Sequence, residues 1–145
     1  MKTAEFIERE QKKYNEKFVE AFVELDKLCC EKFGVQMGGV TEYITRLNNA
    51  KYAPNRDEVL PVLVKYRNLR NKFAHEPEAF KTATVTKNDV KWLVDFKKSI
   101  NKKKDPITAY LRKARRLVRR RNFGKALLTI LGIAAVAAVV VFVVL

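Results

Sequence analysis

The sequence predicts an all-α chain: a helical bundle, then a basic amphipathic helix and a single C-terminal transmembrane helix. Three observations carry that expectation. Apolar residues recur at spacings of three and four from Thr3 to Ile100, the period of an α-helix with one buried face. Helix start and stop residues punctuate those runs. The last twenty residues, ALLTILGIAAVAAVVVFVVL, carry no charge.

The first helix is expected over Thr3–Phe33, with Phe6, Ile7, Phe18, Phe22, Leu25, Leu28, Cys29 and Phe33 as its apolar face and Gly34 as its stop. Gly34–Gly39 reads as a turn, and Thr41 as the cap of a short helix running to Asn48. A loop carrying Pro54 leads to a long helix over Asn55–His75, opened by the Asn-x-x-Glu capping box of Asn55 and Glu58. Val59, Val62, Tyr66, Leu69 and Phe73 form its core stripe, within about 80° at roughly 100° per residue. Pro61 falls near the first turn, where amides have no helical partner. Glu76-Pro77 ends the helix, because the residue before proline disfavours the α region.

Ala79–Val85 is expected as loop. Thr86 caps a further helix bearing Val90, Leu93, Val94, Phe96 and Ile100, with Trp92 off that stripe as a contact surface. Asp105-Pro106 is a cap and first-position pair for the next helix. There Ile107, Tyr110, Leu111, Ala114, Leu117 and Val118 alternate with Arg112, Lys113, Arg115, Arg116, Arg119, Arg120 and Arg121.

The net charge of +14 is concentrated in one place. From Lys102 to Lys125 there are eleven Lys/Arg and one acid, a net of +10, which leaves only +4 for the rest of the chain. Those cations abut the uncharged run 126–145, and twenty helical residues span about 30 Å, the thickness of a bilayer core. The positive-inside bias then places the N-terminal body in the cytoplasm and the C-terminus across the membrane, a single-pass tail anchor. The opening MKTAEFIEREQ has no apolar h-region of a signal peptide. The expected division is a helical domain at 1–104, a basic juxtamembrane helix at 105–125 and a transmembrane helix at 126–145. The seven basic residues from Arg112 to Arg121 are expected to contact anionic membrane lipid, with an RNA backbone as the alternative.

Several chemistries find no support. One histidine and two adjacent cysteines make a zinc site improbable, and nothing implies another metal or a cofactor. Cys29 and Cys30 read as thiols of a reducing compartment, and nothing places a histidine beside them. No Gly-rich phosphate loop is present, which removes the main support for a nucleotide-sensing module.

The remaining signal is the run Leu69-Arg70-Asn71-Lys72-Phe73-Ala74-His75. It joins an always-charged guanidinium to the chain's one imidazole, a group that titrates at about 6.5 in water. Arg67, Asn71 and His75, four apart, form a polar stripe separate from the core stripe, with Arg70 between the two and its long side chain expected to swing toward His75. The bland alternative is a histidine that only caps the helix end.

The run RNKFAH after an apolar-striped helix resembles the Arg-x(4–6)-His signature of the HEPN superfamily (higher eukaryotes and prokaryotes nucleotide-binding). Arg70 and His75 match the two motif positions, and Asn71 the polar residue that often follows the arginine. The resemblance covers about Thr3 to Asn101 and implies an all-α, HEPN-like bundle, commonly a homodimer with motif helices meeting across the interface. It further implies a metal-independent endoribonuclease, with Arg70 and His75 catalytic and Asn71 and Arg67 supporting. RNA is the implied substrate, the role that of a toxin or antiviral-defence effector, and a neutralising or effector protein a further partner. Other members of the superfamily keep the fold without nuclease activity, so the alternative is a non-catalytic scaffold or adaptor dimer.

Overall fold

The computed structural model describes the backbone of residues 2–76, 78–82 and 85–144, and the side chains of 6–76, 78–80 and 85–133. Its elements are α1 (Lys2–Phe33), α2 (Gly39–Asn49), α3 (Arg56–His75), α4 (Ala79–Thr82), α5 (Lys87–Asn101) and α6 (Pro106–Val144). No strand occurs among the described residues. The chain divides into two compact units, Met1–Ala109 and Tyr110–Leu145, with the first turn of α6 in the first unit.

In the first unit α1 is the spine. Phe18, Phe22, Leu25 and Cys29 recur at helical spacing and are buried against Val40, Tyr43 and Leu47 of α2, Leu63 and Tyr66 of α3, and Leu93, Phe96 and Ile100 of α5. Phe6 and Ile7, expected in that face, are exposed instead. A chain of rings ties the helices together. Phe18 meets Tyr66 edge-on with centroids 5.3 Å apart, Tyr66 meets Trp92 at 5.4 Å, Trp92 stacks on Phe96 at 5.0 Å, and Phe96 meets Tyr43 at 5.3 Å. Such pairs add about 0.5–1.5 kcal/mol each beyond their buried area. Trp92 is therefore half-buried packing and not the contact surface expected of it.

Three local expectations are revised. Thr41 does not cap α2; Gly38, left-handed at φ +69°, precedes it, and Asp26 of α1 accepts the Val40 N–H at 2.8 Å. Asn55 is left-handed at φ +55° and forms no side-chain cap, so the capping box with Glu58 is absent. Arg56 does the tying instead, donating to the Leu47 and Asn48 carbonyls at 3.2 and 3.3 Å, which satisfies orphan acceptors at the end of α2. The buried residues of α3 are Leu63 and Tyr66, so its core face is turned from the predicted stripe toward Leu63, with Val59, Val62, Leu69 and Phe73 half-buried.

The segment after Pro77 is also more regular than expected, since Ala79–Thr82 forms one helical turn. Two polar side chains of α1 hold its neighbourhood: buried Asn15 donates to the Phe80 carbonyl at 2.7 Å and Gln11 to the Val85 carbonyl at 3.1 Å. Thr86 caps α5 as expected, in a full capping box with Asp89. Tyr66 donates its hydroxyl to Asp89 at 2.8 Å, joining α3 to α5. Burial pushes the Asp89 carboxyl up, but hydrogen bonds from Thr86 and Tyr66 outweigh it and hold the group below its ordinary value.

Asp105 opens α6, its Oδ1 accepting the Thr108 N–H at 3.2 Å and the Tyr43 hydroxyl at 2.7 Å. Lys32 of α1 donates to Asp105 Oδ2 at 3.1 Å and to Thr108 Oγ1 at 2.6 Å. Burial opposes ionisation of Asp105, yet the donors Thr108, Tyr43 and Lys32 prevail and its carboxyl is held below the usual range.

The second unit corrects the transmembrane expectation. No helix is long and apolar enough, among the described residues, to cross a membrane. The basic stretch and the apolar run are one continuous helix, and its described uncharged side chains run only from Ala126 to Ile133. That is about 12 Å of helix against the ~30 Å a bilayer core requires. The side chains of 134–145 lie outside the described residues. The single-pass placement, with a cytoplasmic body and the C-terminus across a membrane, falls with the span.

Two stability effects follow. A Cβ on Gly39 would lie far inside van der Waals contact with the backbone of Asp26 and Cys30, which cannot swing aside. Gly39→Ala should therefore cost about 1–3 kcal/mol in urea unfolding. Asp105→Ala should cost about 3–5 kcal/mol, because buried Tyr43 and half-buried Lys32 lose their acceptor. Since the folded carboxyl ionises below its unfolded value of about 3.9, Asp105 stabilises the fold above that pH. Its contribution should fade as acid takes the pH down through the folded value. Asp105→Asn should flatten that part of the stability–pH curve, and an unchanged acid limb would contradict the assignment.

Candidate functional site: a cationic cleft beside the third helix

The turn between α1 and α2 uses two left-handed glycines, Gly34 at φ +68° and Gly38 at φ +69°, where a side chain would be strained. It carries Gln36 and Met37 around a cleft of about 500 Å³ between α1, α2 and α3. Phe22, Val23 and Met37 supply apolar surface, and Met37 is 82% exposed. Arg67, Arg70 and Asn71 form the α3 wall, facing Asp26, Lys27 and Cys30 of α1 and Thr41 of α2.

The charges in this cleft do not cancel. Three cations, Lys27, Arg67 and Arg70, face one carboxylate, Asp26, whose Oδ1 is already committed to the Val40 N–H. Arg67 is steadied by Asn68, whose Oδ1 accepts from Nη2 at 3.2 Å. Arg70 is half-buried and has no hydrogen bond or ion pair among the described residues. A desolvated guanidinium without a partner is a ready receptor for a phosphate or carboxylate. It occupies this place because it lies within about 40° of Leu63 and Tyr66 around the helix, on the core-facing side.

His75 is placed differently. It is exposed in the last turn of α3 and does not line the cleft. Positions 70 and 75 lie about 140° apart around a helix, so a single protomer directs the two side chains to different faces. Asn71 lies one turn before His75 on the same stripe. The imidazole makes no hydrogen bond among the described residues and stands in the last turn beside the C-terminal end of the helix dipole, while the Glu76 N–H closes the helix on the Lys72 carbonyl.

The structure thus gathers Arg67, Arg70 and Asn71 and leaves His75 beyond the cleft. Arg112, Lys113, Arg115, Arg116, Arg119, Arg120 and Arg121 belong to the second unit and are exposed there. Lys27, Asp26, Gln36 and Thr41 were not legible as site residues, because no sequence spacing connects α1 and α2 to α3. No group of three or more His, Cys, Asp or Glu side chains that could hold a metal ion occurs among the described residues. Both cysteines are free thiols. Burial, reinforced by the Asp26 carboxylate, pushes the Cys29 thiol up to about 12.

A family model described as a family of unknown function (DUF6548) matches residues 16–127, and the chain belongs to that family. No curated protein and no solved structure matches it.

The two thiols should behave oppositely. Iodoacetamide at mildly alkaline pH should label Cys30, which lines the cleft, and spare buried Cys29 until the protein is unfolded. Peptide mass spectrometry reads the result, and labelling of Cys29 in the folded protein would contradict the packing of α1 against α2.

Proposed function

We propose that this member of the DUF6548 family is a metal-independent endoribonuclease of the HEPN type, working as a homodimer. The observation that carries the reading is Arg70: a half-buried guanidinium with no protein partner, in a cleft where cations outnumber the single carboxylate. Arg67 and Asn71 stand beside it, as a phosphate-binding wall requires.

In the proposed reaction the 2′-oxygen of RNA attacks its adjacent phosphorus while a neutral His75 imidazole takes the 2′-hydroxyl proton. Arg70 binds the non-bridging oxygens through its planar fork and stabilises the charge that builds in the pentavalent transition state. The bond from phosphorus to the 5′-oxygen breaks, and an imidazolium protonates the departing oxygen. The products are a 2′,3′-cyclic phosphate and a 5′-hydroxyl end. One imidazole does not serve easily as base and acid together, and His75 lies off the cleft face of its own protomer. A symmetric pair of α3 helices supplies two histidines and lets each approach the other's cleft.

The position of His75 also favours a second reading, a non-catalytic dimer of the same fold whose cleft holds an anionic partner without cleaving it. The two readings separate on purified protein incubated with RNA in EDTA. The nuclease should leave cyclic-phosphate ends, and His75→Ala and Arg70→Ala should each lower the rate by about 10²–10⁴. His75 is exposed, so its variant should stay folded within about 0.5 kcal/mol; Arg70 is half-buried on the core-facing side, so circular dichroism must show that its variant is folded before its rate is read. Cleavage that needs Mg²⁺, cleavage that survives both substitutions, or a strict monomer at tens of micromolar would defeat the mechanism. RNA bound and left intact by the wild type would establish the second reading.

A further inference from the structure

The second unit carries a surface that the cleft does not use. Wound at about 100° per residue, α6 gathers Arg112, Lys113, Arg115, Arg116, Arg119 and Arg120 into one sector of about 160°. Leu111, Ala114, Leu117 and Val118 fall in the opposite sector. No acidic residue follows Asp105, and Lys113, Arg115, Arg116, Arg119 and Arg120 have no ion pair among the described residues.

Two details narrow the partner. Phe123 falls inside the basic sector, one turn beyond Arg119 and Arg120, and is 73% exposed. It shares one surface hollow with Arg115 and Arg119 and with the apolar Leu111, Ala114, Val118 and Ala126, while Arg119 also lines the adjoining hollow with Lys113, Arg116, Leu117 and Arg120. An exposed aromatic ring at the edge of a guanidinium-bearing face gains from a flat π-face that travels with negative charge. Meanwhile Arg121 and Lys125 fall within the apolar sector, so a helix laid on lipid would have to bury both. A duplex keeps its bases stacked on each other, whereas a single strand offers them.

We propose that this face of α6 binds single-stranded nucleic acid, with Arg115, Arg116, Arg119 and Arg120 on successive phosphates and Phe123 stacked on a base. The proposal uses none of the residues that line the cleft and does not depend on whether that cleft cleaves RNA.

The test uses the full chain and a short fluorescent 2′-O-methyl oligonucleotide, which has no free 2′-hydroxyl to attack its phosphate. Phe123→Ala should weaken binding about tenfold or more with the salt dependence unchanged, and Phe123→Trp should preserve it. Replacing Arg115, Arg116, Arg119 and Arg120 with Gln should lower the slope of log affinity against log salt by about 3. All five side chains are exposed, so circular dichroism should be unchanged. Equal affinity of wild type and Phe123→Ala would overturn the stacking role. Tighter binding of a duplex than of the single strand would overturn the assignment to single strands. If Phe123→Ala instead releases the chain from phosphatidylserine vesicles and leaves oligonucleotide binding intact, the face is a lipid surface and the proposal fails. Loss of RNA cleavage with oligonucleotide binding retained, or the reverse, separates this site from the nuclease reading.

Discussion

Asp105 carries a charge that the first unit has taken out of water, and that constraint orders much of its packing. A buried carboxylate costs several kcal/mol unless donors surround it, and here those donors come from three places in the chain. Lys32 ends α1, Tyr43 lies in the middle of α2, and the Thr108 N–H opens α6. None of the three can leave without stranding a polar group in the core. The carboxylate thus registers α1 and α2 against each other and starts α6 at one place. Tyr43 also hands the constraint on, since its ring meets Phe96 of α5 and Phe33 of α1.

The cleft arises where that packing gives way. Gly39 lets the start of α2 approach the backbone of α1 at Asp26 and Cys30, closer than any side chain would permit. Further along, the turn between Gly34 and Gly38 holds Met37 outward. At that level of α3 the core-facing position is an arginine. Leu63 and Tyr66 close the interior below it, and Arg70 meets a space lined by Phe22, Val23 and Lys27. Asp26 belongs to both arrangements: it caps α2 through Val40 and is the one carboxylate among the described residues that line the cleft with Arg67 and Arg70. The spare positive charge of the cleft therefore results from how α2 is held.

The two basic features differ in physical character. In the cleft the cations are few, Arg67 and Arg70 are half-buried, and packing from three helices places them, so position and geometry decide what they hold. On α6 they are numerous and exposed, so long-range attraction and its screening by salt dominate. A small rigid phosphate group suits the first, and a flexible polyanion the second.

Periodicity, caps and charge counts are local properties, and they made much of the fold legible in sequence. The helical spans of α1, α3 and α5, the Thr86 capping box, the Asp105-Pro106 start of α6 and the polar stripe of Arg67, Asn71 and His75 could all be read from neighbouring residues. The capping of α2 by Asp26 and the packing of Trp92 against Tyr66 could not, because each depends on a residue on another helix. The same holds for the cleft. The sequence left Arg70 free to swing toward His75, and only the meeting of α1, α2 and α3 turns Arg70 into a cavity that His75 does not line. Hydropathy counted along the chain also suggested a span that no described helix is long and apolar enough to provide. The sequence alone determined where most helices form and which residues could carry charge chemistry. The tertiary structure decided which of those residues share a cleft, because that depends on distances between segments remote in the chain.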